Sequence, residues 1–362
     1  MTDAAPALKD AFKDCFRIGV ALNQATFTGE DTNAVAIVKA QFNTITPENV
    51  LKWESVHPEP NKFAFDLPDQ YVAFGEKNGM FIIGHTLVWH NQTPKWVFQD
   101  DKGNELSRDA LLNRLKEHIS TVVGRYKGRV RGWDVVNEAL NDDGSMRKTP
   151  WYRIIGDDYL IKAFQFAHEA DPAAELYYNE FALDKRGKRK GAIALIKKLQ
   201  TAGVPVTGIG YQAHVKLETP SVAVVDKVIT DLAALGIKVM ITELDVDALP
   251  SGKSYAGADI DKLAKYRASL DPYTNGLPAE VQKKLAERYR DLFRVFVKHR
   301  DVIPRVTFWG VEDGGSWLNS FPIRGRTNYP LLWDRQYRPK PAFDAVLQVG
   351  IEPSPSPSKS SK

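Results

Sequence analysis

Eight short runs rich in β-branched and aromatic residues recur along this chain, each separated from the next by a longer helix-like segment. The runs are RIGVAL (core at 18–22), FNTIT (42–46), MFIIGHTLVW (80–89) and GWDVVNE (132–138). They continue with ELYYNEF (175–181), VTGIGYQAHV (206–215), KVMITELDV (238–246) and RVTFWGVED (305–313). The intervening segments, such as RDALLNRLKEHISTVVGRY and AEVQKKLAERYRDLFRVFVKH, carry apolar residues at three-and-four spacing. Strands alternating with helices argue for parallel βαβ units. Eight such units in 362 residues point to the α/β class and a single (β/α)8 TIM barrel, with its active site at the C-terminal ends of the strands. An open doubly wound sheet is the alternative, but no Gly-rich phosphate turn follows any strand.

Composition narrows the function classes. The net charge is +4, and both Lys359 and Lys362 fall in the terminal tail, so the body is nearly balanced. Neither nucleic acid nor an anionic membrane is expected as a partner. No stretch reaches eighteen consecutive apolar residues. Cys15 is the only cysteine, which excludes an intrachain disulfide and argues against a thiolate zinc cluster. Residues 1–16 lack an apolar signal core with a cleavage site. The chain is then either an intracellular protein or a mature exported form beginning at an added Met1, and secretion is the expectation taken forward. The expected organisation is an N-terminal segment (1–16), a catalytic barrel (17–349) and a Pro/Ser-rich flexible tail or linker stub (350–362). The mixed segment 249–278 would follow strand seven at the rim of the mouth. A monomer is expected.

Polar residues at the C-terminal tips of barrel strands converge on one mouth, and here the tips are heavily loaded. Strand two ends in TPENVLKWE, with Glu48, Asn49 and Lys52. Strand three brings His85 and Trp89, with Gln92 just beyond; strand four brings Asn137 and Glu138. Strand six supplies Gln212 and His214, strand seven Glu243 and Asp245, and strand eight Trp309 with Trp317 close behind. Period-two alternation puts His85, Leu87 and Trp89 on one face, and likewise Gln212 with His214 and Glu243 with Asp245. Asn137 and Glu138 are adjacent, so both can reach one ligand only if the strand bulges or ends there. Carboxylates from strands four and seven would face each other across the mouth. Glycoside hydrolysis needs such a pair: one group protonates the leaving oxygen and the other meets the developing oxocarbenium ion. The neighbouring aromatic rings offer flat faces to sugars, and the amides and His offer hydrogen bonds to hydroxyls.

A metal site is the competing chemistry, with His85, His90 and His214 as its candidate ligands. His85 and His90 are five apart and would point to opposite faces of a continuing strand, so no metal and no cofactor is expected. His57, His118, His168 and His299 lie in helix-like or loop stretches and read as surface or packing residues. A carbohydrate-binding protein on an inactive barrel would lack one carboxylate, and both are present.

The motifs TPENVLKWE, GHTLVWHNQTPKW, WDVVNEAL, GIGYQAHV, ITELDV and TFWGVEDGGSW resemble those of the family 10 glycoside hydrolases, the endo-β-1,4-xylanases, over roughly 17–349. The resemblance implies that Glu138 is the acid/base and Glu243 the nucleophile of a retaining reaction on xylan and xylo-oligosaccharides. It implies that His214, held by Asp245, partners the nucleophile, and that Asn137 binds the sugar 2-hydroxyl and helps hold Glu243 charged. His85, Gln212 and Trp89 would line the cleavage subsite, with Trp309 and Trp317 closing over it. Glu48, Asn49, Lys52 and Gln92 would bind the next sugar on the non-reducing side. One position departs from the family, whose Asn-Asp-Tyr turn after strand five is here Asn179-Glu180-Phe181. Phe181 can stack on the leaving-group sugar but lacks the hydroxyl. A β-1,4-glucanase with the same carboxylate pair is the nearest rival.

Overall fold

In the computed structural model, which describes residues 7–250, 266 and 269–352, every one of the eight runs forms a strand. They are β1 (Arg17–Leu22), β2 (Thr44–Pro47), β3 (Phe81–Val88), β4 (Gly132–Asn137) and β5 (Glu175–Glu180). The sixth run breaks in two, giving β6 (Gly208–Tyr211) and β7 (His214–Lys216), and β8 (Lys238–Asp247) and β9 (Arg305–Phe308) complete the sheet. Pairing is parallel throughout and runs β1 to β6 in chain order, then β6 to β8, β8 to β9 and β9 back to β1. The sheet therefore closes into a (β/α)8 barrel. Most of segment 249–278 and the tail from residue 353 lie outside the described residues.

The break in the sixth strand has a local cause. Ala213 adopts the left-handed region at φ 61°, which no ladder residue can hold, so pairing stops and restarts one residue later. β8 pairs with both pieces, Gly208 opposite Lys238 and His214 opposite Asp245, and takes up one extra residue between them. That insertion puts the His214 ring between Glu243 and Asp245. Other register shifts fall between His85 and Val88, Asp134 and Val136, and Ile241 and Leu244. All lie toward the C-terminal ends of their strands, where side chains are re-aimed into the mouth.

The main apolar core lies between the barrel and its helices, and a second small cluster of Ile83, Tyr177 and Met240, with Phe81 against it, plugs the barrel interior. Beside this plug the interior turns polar. Arg305 lies over the Tyr177 ring and 4.0 Å from Asp134, which in turn meets His85. Opposite the mouth, the first turn of helix (Leu8–Ala11), with Phe12 and Phe16, packs on the helices Ala279–Lys298 and Pro341–Ile351. Gly350 permits this contact, since a Cβ there would sit 2.8 Å from that of Ala11. Among the described residues no helix is long and apolar enough to cross a membrane.

Candidate active site

Two carboxyl groups of contrasting environment occupy the mouth. Glu138 follows the last residue of β4 and takes φ 58°, so the strand does end at the Asn-Glu pair. This turn sends neighbouring side chains to one cavity. The Glu138 backbone N–H donates to the Asn179 carbonyl at 2.9 Å. Its half-buried carboxyl group accepts from Trp89 Nε1 at 2.9 Å and from Gln212 Nε2 at 3.0 Å.

Glu243 is buried and sits between a histidine and an amide. His214 Nε2 lies 3.0 Å from its Oε2, and Asn179 Nδ2 donates to its Oε1 at 2.7 Å. Burial alone would push the Glu243 pKa up; the His214 hydrogen bond and charge, the nearby His85 and the Asn179 amide together hold it below the usual carboxylate range. His214 responds in the opposite sense. Burial disfavours its charged form, but Asp245, 3.0 Å from Nδ1, and Glu243 raise its pKa to about 10. The charged form of the ring is thus favoured, with Nε2 turned to Glu243 and Nδ1 to Asp245. Trp317 extends this relay, its Nε1 donating to the other Asp245 oxygen at 2.8 Å.

An amide network joins the two acids. Asn137 Oδ1 accepts from Gln212 Nε2 at 3.3 Å and from Asn179 Nδ2 at 3.0 Å. One expectation is corrected here: the amide that donates to Glu243 belongs to Asn179 on β5, not to Asn137. Asn137 instead orients that donor, and its own Nδ2 has no protein partner among the described residues, leaving it open to a ligand. Asn179 is fully buried, and its Oδ1 accepts from Thr242 Oγ1 at 2.7 Å. Gly210 makes room for it, because a Cβ at that position would come 2.2 Å from Asn179 Oδ1.

His85 lines the cavity with its ring edge-on to Trp309, and its Nδ1 is 2.9 Å from Asp134. The Trp317 ring packs against His214 on one side and stacks with Phe321 on another. On the strand-two side, Lys52 Nζ donates to Asn49 at 3.2 Å and to Gln92 at 2.9 Å, and lies 4.9 Å from the Trp89 ring centre. Gln92, at φ 46°, also binds Asn49 and Glu54. Burial raises the Glu48 pKa to about 7 against the pull of Lys52. Burial also lowers the Lys52 pKa, opposed first by Glu243 and then by Glu48, Glu138 and Glu54. On the opposite side Phe181 is half-buried, with Lys188 Nζ 3.1 Å from its ring centre.

The three metal-ligand candidates are engaged elsewhere. His85 and His214 meet carboxylates, while His90 packs edge-on against Trp89 with a pKa lowered to about 4 by burial and by Arg147 and Lys188. His57 and His118 are buried packing residues, layered against Trp53 with their Nδ1 atoms 3.2 Å apart. Sequence alone gives no site role to Asn179, named only within the segment after strand five, nor to Asp134 or Glu54. Asp134 carried a signal, being a carboxylate inside an apolar run, and Asn179 shares strand parity with the inward-facing Tyr177.

Strand-borne carboxyl groups at the mouth of a closed parallel barrel, ringed by tryptophans and amides, form the working arrangement of a glycoside hydrolase. The profile described as glycosyl hydrolase family 10 matches residues 7–349. The chain is 43% identical over 344 residues to endo-1,4-beta-xylanase A of Xylanibacter ruminicola, covering 95% of this chain and 93% of that one. It is 42% identical to an endo-1,4-beta-xylanase of Geobacillus stearothermophilus, over 96% and 100% of the two chains. Among solved structures, an endoxylanase retrieved from a sugarcane soil metagenome superposes with a TM-score of 0.90 at 47% identity, over 95% of this chain and 99% of that one. A mutant enzyme solved with xylotriose superposes at 0.84 with 35% identity, over 94% and 99%. The chain belongs to glycosyl hydrolase family 10.

Proposed function

We propose that the protein is an endo-β-1,4-xylanase that cleaves internal xylosidic bonds with retention of configuration, using Glu138 as acid/base and Glu243 as nucleophile. The observation that carries the reading is the unequal treatment of the two acids. Glu243 is held ionised by an imidazolium and a buried amide, whereas Glu138 meets only neutral donors, from Trp89 and Gln212. The relatives' activity and the xylotriose complex of one of them support the substrate class.

In the first half-reaction Glu138 gives its proton to the glycosidic oxygen as Glu243 bonds to the anomeric carbon and the leaving sugar departs. Retaining enzymes place their carboxyl groups about 5–5.5 Å apart for this direct attack. Esterification removes the charge of Glu243. Glu138, now a carboxylate, takes a proton from water as that water displaces the enzyme from the sugar. His214 stays paired with Asp245 throughout, ready to stabilise the carboxylate that returns. The open Asn137 amide fits a sugar 2-hydroxyl, and Lys52, Asn49 and Gln92 form a polar floor for the next sugar on the non-reducing side. Gln92 and Trp317 would fill the volume of a glucose hydroxymethyl group, a misfit worth about 1–3 kcal/mol, so weak cleavage of aryl cellobiosides is expected beside xylan. Xylan is a polymer that does not cross membranes, which supports action outside the cytoplasm.

Proton NMR of the first product released from xylohexaose tests substrate, bond and stereochemistry together. A β-anomer appearing first is expected; an α-anomer overturns the mechanism. Glu138→Ala and Glu243→Ala should each abolish most xylan hydrolysis, with azide rescuing the former on activated substrates to give a β-glycosyl azide. Substantial unrescued activity in either variant removes the role given to that residue.

A further inference from the structure

We infer that Glu180, with Tyr178 and Lys188, is a positioning unit for the acid/base, acting on Glu138 through the backbone that follows it. This rests on the role given to Glu138 above. The turn at Glu138 breaks the ladder of β4, and the N–H groups that follow it find their partners on β5. Ala139 N–H donates to the Tyr178 hydroxyl at 3.1 Å. Leu140 N–H donates to Glu180 Oε2 at 3.2 Å, and the Tyr178 hydroxyl donates to the same oxygen at 2.6 Å. The other Glu180 oxygen accepts from the Phe181 N–H at 3.0 Å and faces Lys188 Nζ at 3.0 Å. From the opposite side Arg147 donates to the carbonyls of Glu138 and Leu140, at 3.2 and 3.0 Å. Segment 138–140 is therefore gripped by its N–H groups on one side and its carbonyls on the other.

Chemistry dictates a carboxylate at position 180. All four groups around it are donors, since the Tyr178 hydroxyl already accepts from Ala139 and so points its proton at Glu180. Glu180 and Lys188 are both completely buried and 3.0 Å apart, so each offsets the charge of the other. The same ammonium lies against the face of Phe181, so one unit braces the acid/base and the aromatic ring on the leaving-group side. The family's Asp-Tyr becomes Glu-Phe here, and the longer acid reaches its donors without help from a tyrosine hydroxyl at 181.

A group that only aims the acid/base should matter most where proton donation is hardest. Glu180→Gln puts two donor hydrogens and one acceptor oxygen among four donors. Well-placed general acids contribute about 10²–10⁴-fold, so partial misplacement should lower kcat/KM on phenyl β-xylobioside by about tenfold or more. On 2,4-dinitrophenyl β-xylobioside, whose leaving group needs no proton, the loss should stay within about threefold, as little of the acid's contribution is at stake. Tyr178→Phe removes one hydroxyl and leaves the ion pair; it should show the same pattern more weakly, and it carries the test if Glu180→Gln does not fold. Equal losses on both substrates, or none, overturn the inference. Glu138→Ala, run in parallel, separates the two ideas: if it shows no leaving-group dependence, the role of Glu138 itself is wrong.

Discussion

Replacing Asn179 with alanine should move the acid limb of activity upward. Asn179 Nδ2 is one of two donors to Glu243, at 2.7 Å, in a fully buried setting. A hydrogen bond to a charged group is worth about 1.5–3 kcal/mol. At about 1.4 kcal/mol per pH unit, its loss should raise the Glu243 pKa by about 1–2 units. The sign follows from which form the donor favours: the amide stabilises the carboxylate, so removing it favours the protonated acid, and the nucleophile becomes active only at higher pH. His214 remains in place, so a good part of the depression should survive. The assay is kcat/KM on an aryl β-xylobioside from pH 3 to 9, with the melting temperature followed in the same buffers. A folded variant whose acid limb coincides with the parent's, or whose basic limb moves instead, would refute the link between this amide and the charge on Glu243.

Two further outcomes follow from the same geometry. Gly210→Ala forces a Cβ to within 2.2 Å of Asn179 Oδ1 and 2.8 Å of Thr242, an overpacking expected to cost about 1–3 kcal/mol of stability in denaturant melts; activity should fall with it, and an unchanged midpoint would contradict the packing described. The His57–His118 pair should make the fold acid-sensitive, because burial lowers the His57 pKa to about 4 and that of His118 well below its ordinary 6.5. Unfolded histidines bind protons below about 6.5 while these do not, so stability present above that pH is lost as pH falls toward 4. The urea midpoint should drop over this window, and His118→Phe should flatten the decline; a parent midpoint constant from pH 7 to 4.5 would rule this out.

Much of this was legible from residue order alone. Period and length gave away the strands, and barrel logic carried Glu138, Glu243, His214, Asp245 and the strand-two cluster to one mouth. What escaped has physical causes. Ala213 has no propensity for a left-handed backbone, so nothing in its identity announced the break between β6 and β7. Asn179 stands level with Asn137 near the end of β5, and its reach to Glu243 depends on the aim of its amide across the mouth. Glu180 and Lys188 are eight positions apart, on a strand and the helix Arg186–Thr201; their pairing depends on how that helix packs, which local pattern does not specify. Asn137 and Asn179 are register partners on neighbouring strands, and which of the two amides donates to Glu243 depends on how each is aimed, which local pattern does not specify.

The meeting of the first helical turn with the helix Pro341–Ile351 has a practical reach. Because each barrel strand points toward the mouth, both described ends of the chain emerge at the rear, zipped together by Phe12, Ala11 and Gly350. A tag, a solid support or an appended partner fixed at residue 352 would hold the molecule by its back, with the cleft turned outward to a fibre. Deleting the segment around Phe12 would instead unfasten the last helix from the base of the barrel, so the safest place to shorten the protein is not its beginning.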